Sequence, residues 1–209
     1  MKLPITKERI RTHFHYGWWQ YVLLIGLSIL VWNLVYTTTR YRSPEELKVE
    51  WYGQGAVGME AQEKIDGLLA DLQGELFPDM EEVTFTAVGY DETYGDMQLF
   101  VWASAGQGDL YMLTRERFQN LAGSGALAEL TPYIESGALD VGEIDLSAGY
   151  VTDPETGKKY LMGVPVDGLT GLREYGLEPE GQVMGLLAGG GNIENTLKLM
   201  QWLIDNMQP

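Results

Sequence analysis

Between Thr12 and Thr39 the chain carries no Asp, Glu, Lys or Arg, and the run from Tyr21 to Tyr36 is broken only by Ser28 and Asn33 among otherwise apolar residues. About 20 such residues cross the hydrocarbon core of a bilayer, so a transmembrane helix is expected over 16–36. Trp18, Trp19 and Tyr21 at one end, with Trp32 and Tyr36 at the other, match the aromatic belts found at headgroup level. A buried core helix is the competing reading. Lys2, Lys7, Arg9 and Arg11 precede the span while Arg40, Arg42 and Lys48 follow it. That bias favours residues 1–15 in the cytoplasm and everything beyond the span outside it, at the cell membrane. The stretch from Leu34 to Arg40 offers bulky and β-branched residues where a signal peptidase needs small ones, so the segment is expected to stay attached.

Charge separates the rest of the chain from this head. Of 30 acidic and 14 basic side chains, only Glu8 and six of the basic ones precede Ser43, leaving 29 acids against 8 bases. Such a balance repels phosphate backbones, so no nucleic-acid partner is expected. Cysteine is absent, which excludes disulfides and Cys-based zinc sites. Both histidines, His13 and His15, fall before the span, so the acidic portion lacks the commonest general base and transition-metal ligand.

Residues 37–46 read as a polar linker whose Ser43-Pro44 also fits the opening of a helical turn. Leu47–Tyr52 alternates and meets Gly53, which predicts a strand followed by a turn. Ala61, Ile65, Leu68, Leu69, Leu72 and Leu76 recur at three and four, so a helix is expected over 59–77. Val83–Val88 is β-branched and aromatic, a second strand. Met97–Ala105 predicts a helix, Asp109–Thr114 a third strand, and Arg115–Leu121 a further helix. Short connections between strands and helices imply a parallel-type sheet with helical crossovers, with Val83–Val88 beside Asp109–Thr114. Tyr160–Val166 reads as one short strand, placed at an edge by Pro165. Asn192–Asn206 reads as the last helix, with Ile193, Leu197, Met200, Leu203 and Ile204 on one face. The fold class is α/β, with a single domain over 47–209.

Three stretches, in this order, resemble a known family. Ala105–Leu113 followed by Phe118–Tyr133 (FQNLAGSGALAELTPY) resembles the first lobe of extracellular solute-binding proteins of ABC transporters, where a helix ending in Gly leads to an Asp-headed strand and a further helix. Gly157-Lys-Lys-Tyr-Leu-Met-Gly-Val-Pro165 is similar to that family's Gly-Lys-x-Tyr-x-x-Pro crossing segment, with one or two extra residues before the Pro. Asn192–Leu203 resembles its late helix, which packs back on the first lobe. The resemblance implies one periplasmic-binding-protein-like lobe preceded by a membrane helix. Only about twenty residues separate Pro165 from Leu186, where the family carries its second lobe, so a lone lobe with an open, shallow face is expected.

The implied function is a membrane-anchored, solute-binding-like module that presents a small solute to a transporter permease or docks on another membrane protein. The alternative is an interaction domain that keeps the fold without a ligand; an extracytoplasmic hydrolase is the lesser reading. Gly53-Gln-Gly-Ala-Val-Gly58 matches a dinucleotide fingerprint, but the first candidate ribose acid after the second strand, Asp91, lies far beyond the usual spacing of about twenty residues, and a plain strand-to-helix loop is expected. The acidic runs at Asp79–Glu82 and Asp91–Asp96 lack metal-ligand spacing. No catalytic residue, metal or cofactor is expected. Open sheets bind ligands at the carboxyl ends of their strands, which here selects Tyr52, Gln54, Tyr90, Asp91, Arg115 and Asp167.

Overall fold

The structure is a computed structural model that describes residues 7–89, 91, 94–154 and 156–209. It divides into two compact units, Met1–Arg42 and Ser43–Pro209. The described part of the first unit is chiefly one helix, α1 (Lys7–Thr39), of 33 residues. At 1.5 Å per residue it is about 50 Å long. Its Gly17–Thr39 portion has a mean hydropathy of 1.8, long and apolar enough to cross a membrane. The Ser and Thr side chains there return their hydrogens to the helix's own carbonyls: Ser28 Oγ donates to Leu24 O at 2.8 Å, Thr38 Oγ1 to Leu34 O at 2.8 Å, and Thr39 Oγ1 to Val35 O at 2.6 Å. Internal satisfaction of this kind is what an apolar solvent demands.

In the second unit the strands are β1 (Lys48–Gln54), β2 (Glu82–Val88), β3 (Leu110–Thr114), β4 (Tyr150–Thr152), β5 (Lys159–Leu161), β6 (Gly163–Pro165) and β7 (Gln182–Leu186). The helices are α2 (Met59–Glu75), α3 (Tyr94–Ser104), α4 (Arg115–Gly123), α5 (Thr131–Glu135) and α6 (Ile193–Asn206). Five strands form one sheet in the order β2-β1-β3-β7-β6, and β4 and β5 form a separate hairpin. β1 is parallel to β2 and β3, whereas β7 runs antiparallel to β3 and β6. Four of the five strands therefore share one direction, and the α/β class stands.

The sheet is sandwiched between two apolar layers. Val49, Trp51, Leu110, Met112, Met184 and Leu186 pack with Ile65, Leu69 and Leu72 of α2 and with Leu199, Met200 and Leu203 of α6. On the opposite face Tyr52, Tyr111, Leu113 and Val183 pack with Leu99 of α3 and with Phe118 and Leu121 of α4. Successive residues of a strand feed opposite layers, as the period of two requires.

Four local expectations are corrected. Val83–Val88 and the third strand are not neighbours, because β1 lies between them. The burial pattern gives the reason: β1 is buried from Trp51 to Gln54, while β2 leaves Thr84, Thr86 and Ala87 part-exposed, so β2 suits an edge. Gly53 does not turn the chain but continues β1, since a Cβ there would lie 2.5 Å from the Phe85 ring and only hydrogen fits beneath it. The expected strand over 160–166 is two strands in two sheets, divided at Met162, whose N–H donates to Gly149 O at 3.0 Å. Finally, β7 was not anticipated. Pro165 does sit in an edge strand, β6, where its missing N–H leaves no ladder bond unmade.

Asp109, which heads β3, ties the amino ends of β1 and β3 to the carboxyl end of the antiparallel β7. Its Oδ2 accepts the Glu50 N–H at 2.9 Å, its own N–H donates to Glu50 O at 2.9 Å, and its carbonyl accepts from Leu187 at 2.9 Å. Burial, reinforced by the nearby charges of Glu50 and Glu45, pushes its carboxyl up from 3.8 to about 6, despite the opposing pull of the Glu50 N–H. The folded state thus holds this proton more tightly than the unfolded chain. Stability is expected to rise as pH falls from 7 towards 4, by about 2–3 kcal/mol from this group. Asp109→Asn keeps an acceptor for Glu50, so chemical denaturation should find it more stable than wild type at pH 7 and its acid-side gain largely gone. An unchanged slope between pH 7 and 4 would contradict this assignment.

Candidate functional site

The strand order reverses between β1 and β3, where an open α/β sheet ordinarily leaves its binding crevice. Here that position is filled. Gln54 Oε1 accepts the Thr114 N–H at 3.0 Å, and Gln182 Nε2 donates to Gln54 O at 3.2 Å and to Glu178 O at 2.5 Å. Leu169, Leu172 and Leu177 of the connection between β6 and β7 are buried, and Leu177 packs 3.6 Å from the position a Cβ on Gly55 would take. The connection between β6 and β7 folds as a 3-10 turn (Thr170–Tyr175) that contacts α2, in keeping with the single lobe expected from its shortness.

Beside this filled crevice, at the carboxyl ends of β3 and β6, lies an open cleft of about 570 Å³. Arg115, the first residue of α4, borders it with Asp167, just past β6; Glu143, Asp145 and Ser147 come from the segment leading to β4, and Gln208 from the residues after α6. Ile144, Ala148, Pro165 and Leu169 supply its apolar wall. Arg115 and Asp167 are held through one backbone residue: the Arg115 N–H donates to Gly181 O at 3.0 Å, and the Gly181 N–H donates to Asp167 Oδ1 at 2.9 Å. Both side chains remain exposed. Among the described residues the Arg115 guanidinium makes no ion pair.

Asp145 is pre-set by an Asx-type turn, accepting from Ser147 N at 3.0 Å and from Ser147 Oγ at 3.0 Å. These bonds hold its carboxyl below the usual carboxylate range. Three carboxylates and one guanidinium face a cleft without an aromatic ring. Acceptors of this kind suit hydroxyl or ammonium donors better than anions.

The other sequence-selected residues lie elsewhere. Tyr52 is buried on the α3 side, stacked on Tyr111 with centroids 5.1 Å apart and edge-on to Trp102 at 5.0 Å. Burial pushes its hydroxyl up to about 12, as befits a packed scaffold ring. Gln54 is buried in the filled crevice. Asp91 is exposed, and its Oδ1 accepts the Tyr94 N–H at 2.6 Å at the start of α3. Tyr90 lies outside the described residues. Glu143, Asp145, Ser147 and Gln208 were not selected from sequence; only Asp145-Leu-Ser147 carried a signal, that of a capping turn. Among the described residues no three of His, Cys, Asp and Glu converge as metal ligands.

No protein-family model matches the chain, and no curated protein does either. Solved structures similar to it include an extracellular solute-binding protein family 1 from Alicyclobacillus acidocaldarius, at 15% identity and a TM-score of 0.41, covering 60% of this chain and 29% of that one. An ABC substrate-binding protein from Listeria monocytogenes, solved with cycloalternan, matches at 21% identity and a TM-score of 0.41 over 56% of this chain and 28% of that one. An N-glycan transport solute-binding protein from Streptococcus pneumoniae matches at 19% identity and a TM-score of 0.41, over 64% of this chain and 30% of that one. The chain therefore spans less than a third of the length of these three structures. The first is described as an extracellular solute-binding protein and the other two as a substrate-binding and a solute-binding protein.

Proposed function

We propose that the chain is a membrane-anchored, extracytoplasmic solute-binding module of a single lobe, held in the bilayer by α1 with its N-terminus in the cytoplasm. The observation that carries this reading is the cleft at the carboxyl ends of β3 and β6, bordered by Arg115, Asp145, Ser147 and Asp167. Its ligand is a small hydroxyl- or amine-bearing solute, bound weakly by the lobe alone because the cleft is open. A transporter permease or another membrane protein supplies the opposite wall. A second reading, a docking domain that retains the fold without a solute, is favoured by one observation, the crevice at the strand reversal filled by Gln54, Gln182 and Leu177.

Two measurements test the proposal. The chain has no cysteine, and Ser136 is exposed, so Ser136→Cys in the full chain should react with a membrane-impermeant maleimide on intact cells. Reaction only after lysis would contradict the topology. In a thermal-shift screen with sugars, polyamines and amino sugars, a specific solute at one hundred times its Kd adds about 2.7 kcal/mol. That shift should vanish in Asp167→Ala. Shifts from none of these classes would favour the docking domain.

A further inference from the structure

We infer that the outer face of α3, with the furrow between α3 and α4, docks a protein partner that offers a basic amphipathic helix. Tyr94, Met97, Phe100 and Val101 are 60–78% exposed, while Gly95 and Leu99 of the same helix face inward. Their spacing of three, three and one places them along one side of α3. An outward helix face in so acidic a domain is expected to be polar, and four large apolar side chains on one face mark an interaction surface.

Beside them a furrow of about 110 Å³ is lined by Leu99, Phe100 and Leu121 together with Asp96, Arg117, Asn120 and Ser124. It has room for one apolar anchor side chain, the kind of pocket that concentrates binding energy. The charge around the surface selects the occupant. Asp91 and Glu116 are exposed and the Asp96 side chain is half-exposed. The neighbouring cation, Arg117, is buried and already committed to Asp96 Oδ1 at 2.6 Å, Gly89 O at 2.6 Å and Asp91 O at 2.9 Å. An apolar centre with a carboxylate rim is the complement of a helix with one apolar stripe flanked by Lys or Arg, laid into the furrow. A second copy would bring like rims together in a domain of 29 acids and 8 bases, and anionic lipid would be repelled by the same carboxylates. The surface shares no residue with the cleft at Arg115 and Asp167, so it stands whether or not that cleft binds a solute.

The absence of cysteine makes the test direct. Met97→Cys, Val101→Cys and, on the exposed surface of α2, Glu63→Cys are introduced singly into the full chain. Maleimide labelling is then followed in permeabilised native cells and for purified protein in phosphatidylcholine vesicles. In cells Met97→Cys and Val101→Cys should label about tenfold more slowly than Glu63→Cys. In vesicles the three should label alike, with circular dichroism matching wild type to show that the variants fold. About 0.5 M NaCl, by screening the rim, and separately Phe100→Ser, should each return the cell rates towards the control. Equal labelling in cells would overturn the inference because the surface would be uncovered. Slow labelling in vesicles would overturn it in favour of the bilayer or a second copy.

Discussion

Gly149→Ala is expected to cost the α/β unit Ser43–Pro209 about 3–5 kcal/mol and to leave little of it folded at 37 °C. The reason is a backbone crossing rather than a turn. A Cβ on Gly149 would lie 1.9 Å from Gly163 O and 2.8 Å from Gly163 C. No side-chain rotamer relieves a clash with a carbonyl, so either the 3-10 turn Leu146–Gly149 or edge strand β6 must move. The Met162 N–H to Gly149 O bond, which pins that turn beside β6, is lost with either movement. Overpacking ordinarily costs about 1–3 kcal/mol; backbone displacement and a lost hydrogen bond add to it, against a total stability of about 5–15 kcal/mol. The same turn carries Asp145 and Ser147 to the cleft, so any folded fraction should have lost solute binding too. Urea titration monitored by circular dichroism checks the first effect; a midpoint within experimental error of wild type would contradict the crossing.

Trp51→Ala is expected to be comparably damaging, by about 3–5 kcal/mol. Trp51 is 1% exposed at the centre of the sheet, packed edge-on to Phe85 with ring centroids 4.9 Å apart and an interplanar angle of 75°. Its indole Nε1 finds no acceptor among the described residues. An unsatisfied buried donor costs about 1–3 kcal/mol. Trp51→Phe discards that donor along with part of the ring, so its loss should be well under half that of Trp51→Ala. Equal losses in the two variants would contradict this, because they would show that the indole N–H is bonded and that its bond, rather than the bulk of the ring, sets the cost.

The elements that could be read from sequence are those with a clear period. α2 and α6 show apolar stripes at three and four, and β2 shows alternation, because each has one buried and one wet face. β7 showed nothing usable: all five of its residues are buried, so it lacks alternation, and Gly185 interrupts its β-branched character. The central place of β1 is a tertiary fact, decided by which strand buries both faces, and order along the chain does not encode it. The rule that ligands meet the carboxyl ends of strands pointed to Arg115 and Asp167, which the structure brings to one cleft. Applied to Tyr52 and Gln54 the same rule pointed into the core, because Gln182 and the connection ending at Leu177 cover that end of β1. Asp145 and Ser147 went unselected since a 3-10 turn has no periodicity to announce it.

In the proposed function, the cleft at Arg115 and Asp167 is where a small solute meets this lobe. Two-dimensional amide NMR of residues 43–209, titrated with the solutes that register in the thermal-shift screen, tests it most directly. Fast-exchange shifts are expected, with a Kd of about tens of micromolar or weaker, centred on the amides of Arg115, Ser147, Asp167 and Gly181 and abolished by Asp167→Ala. Submicromolar binding by this monomeric lobe, or shifts centred away from those amides and indifferent to Asp167→Ala, would contradict it.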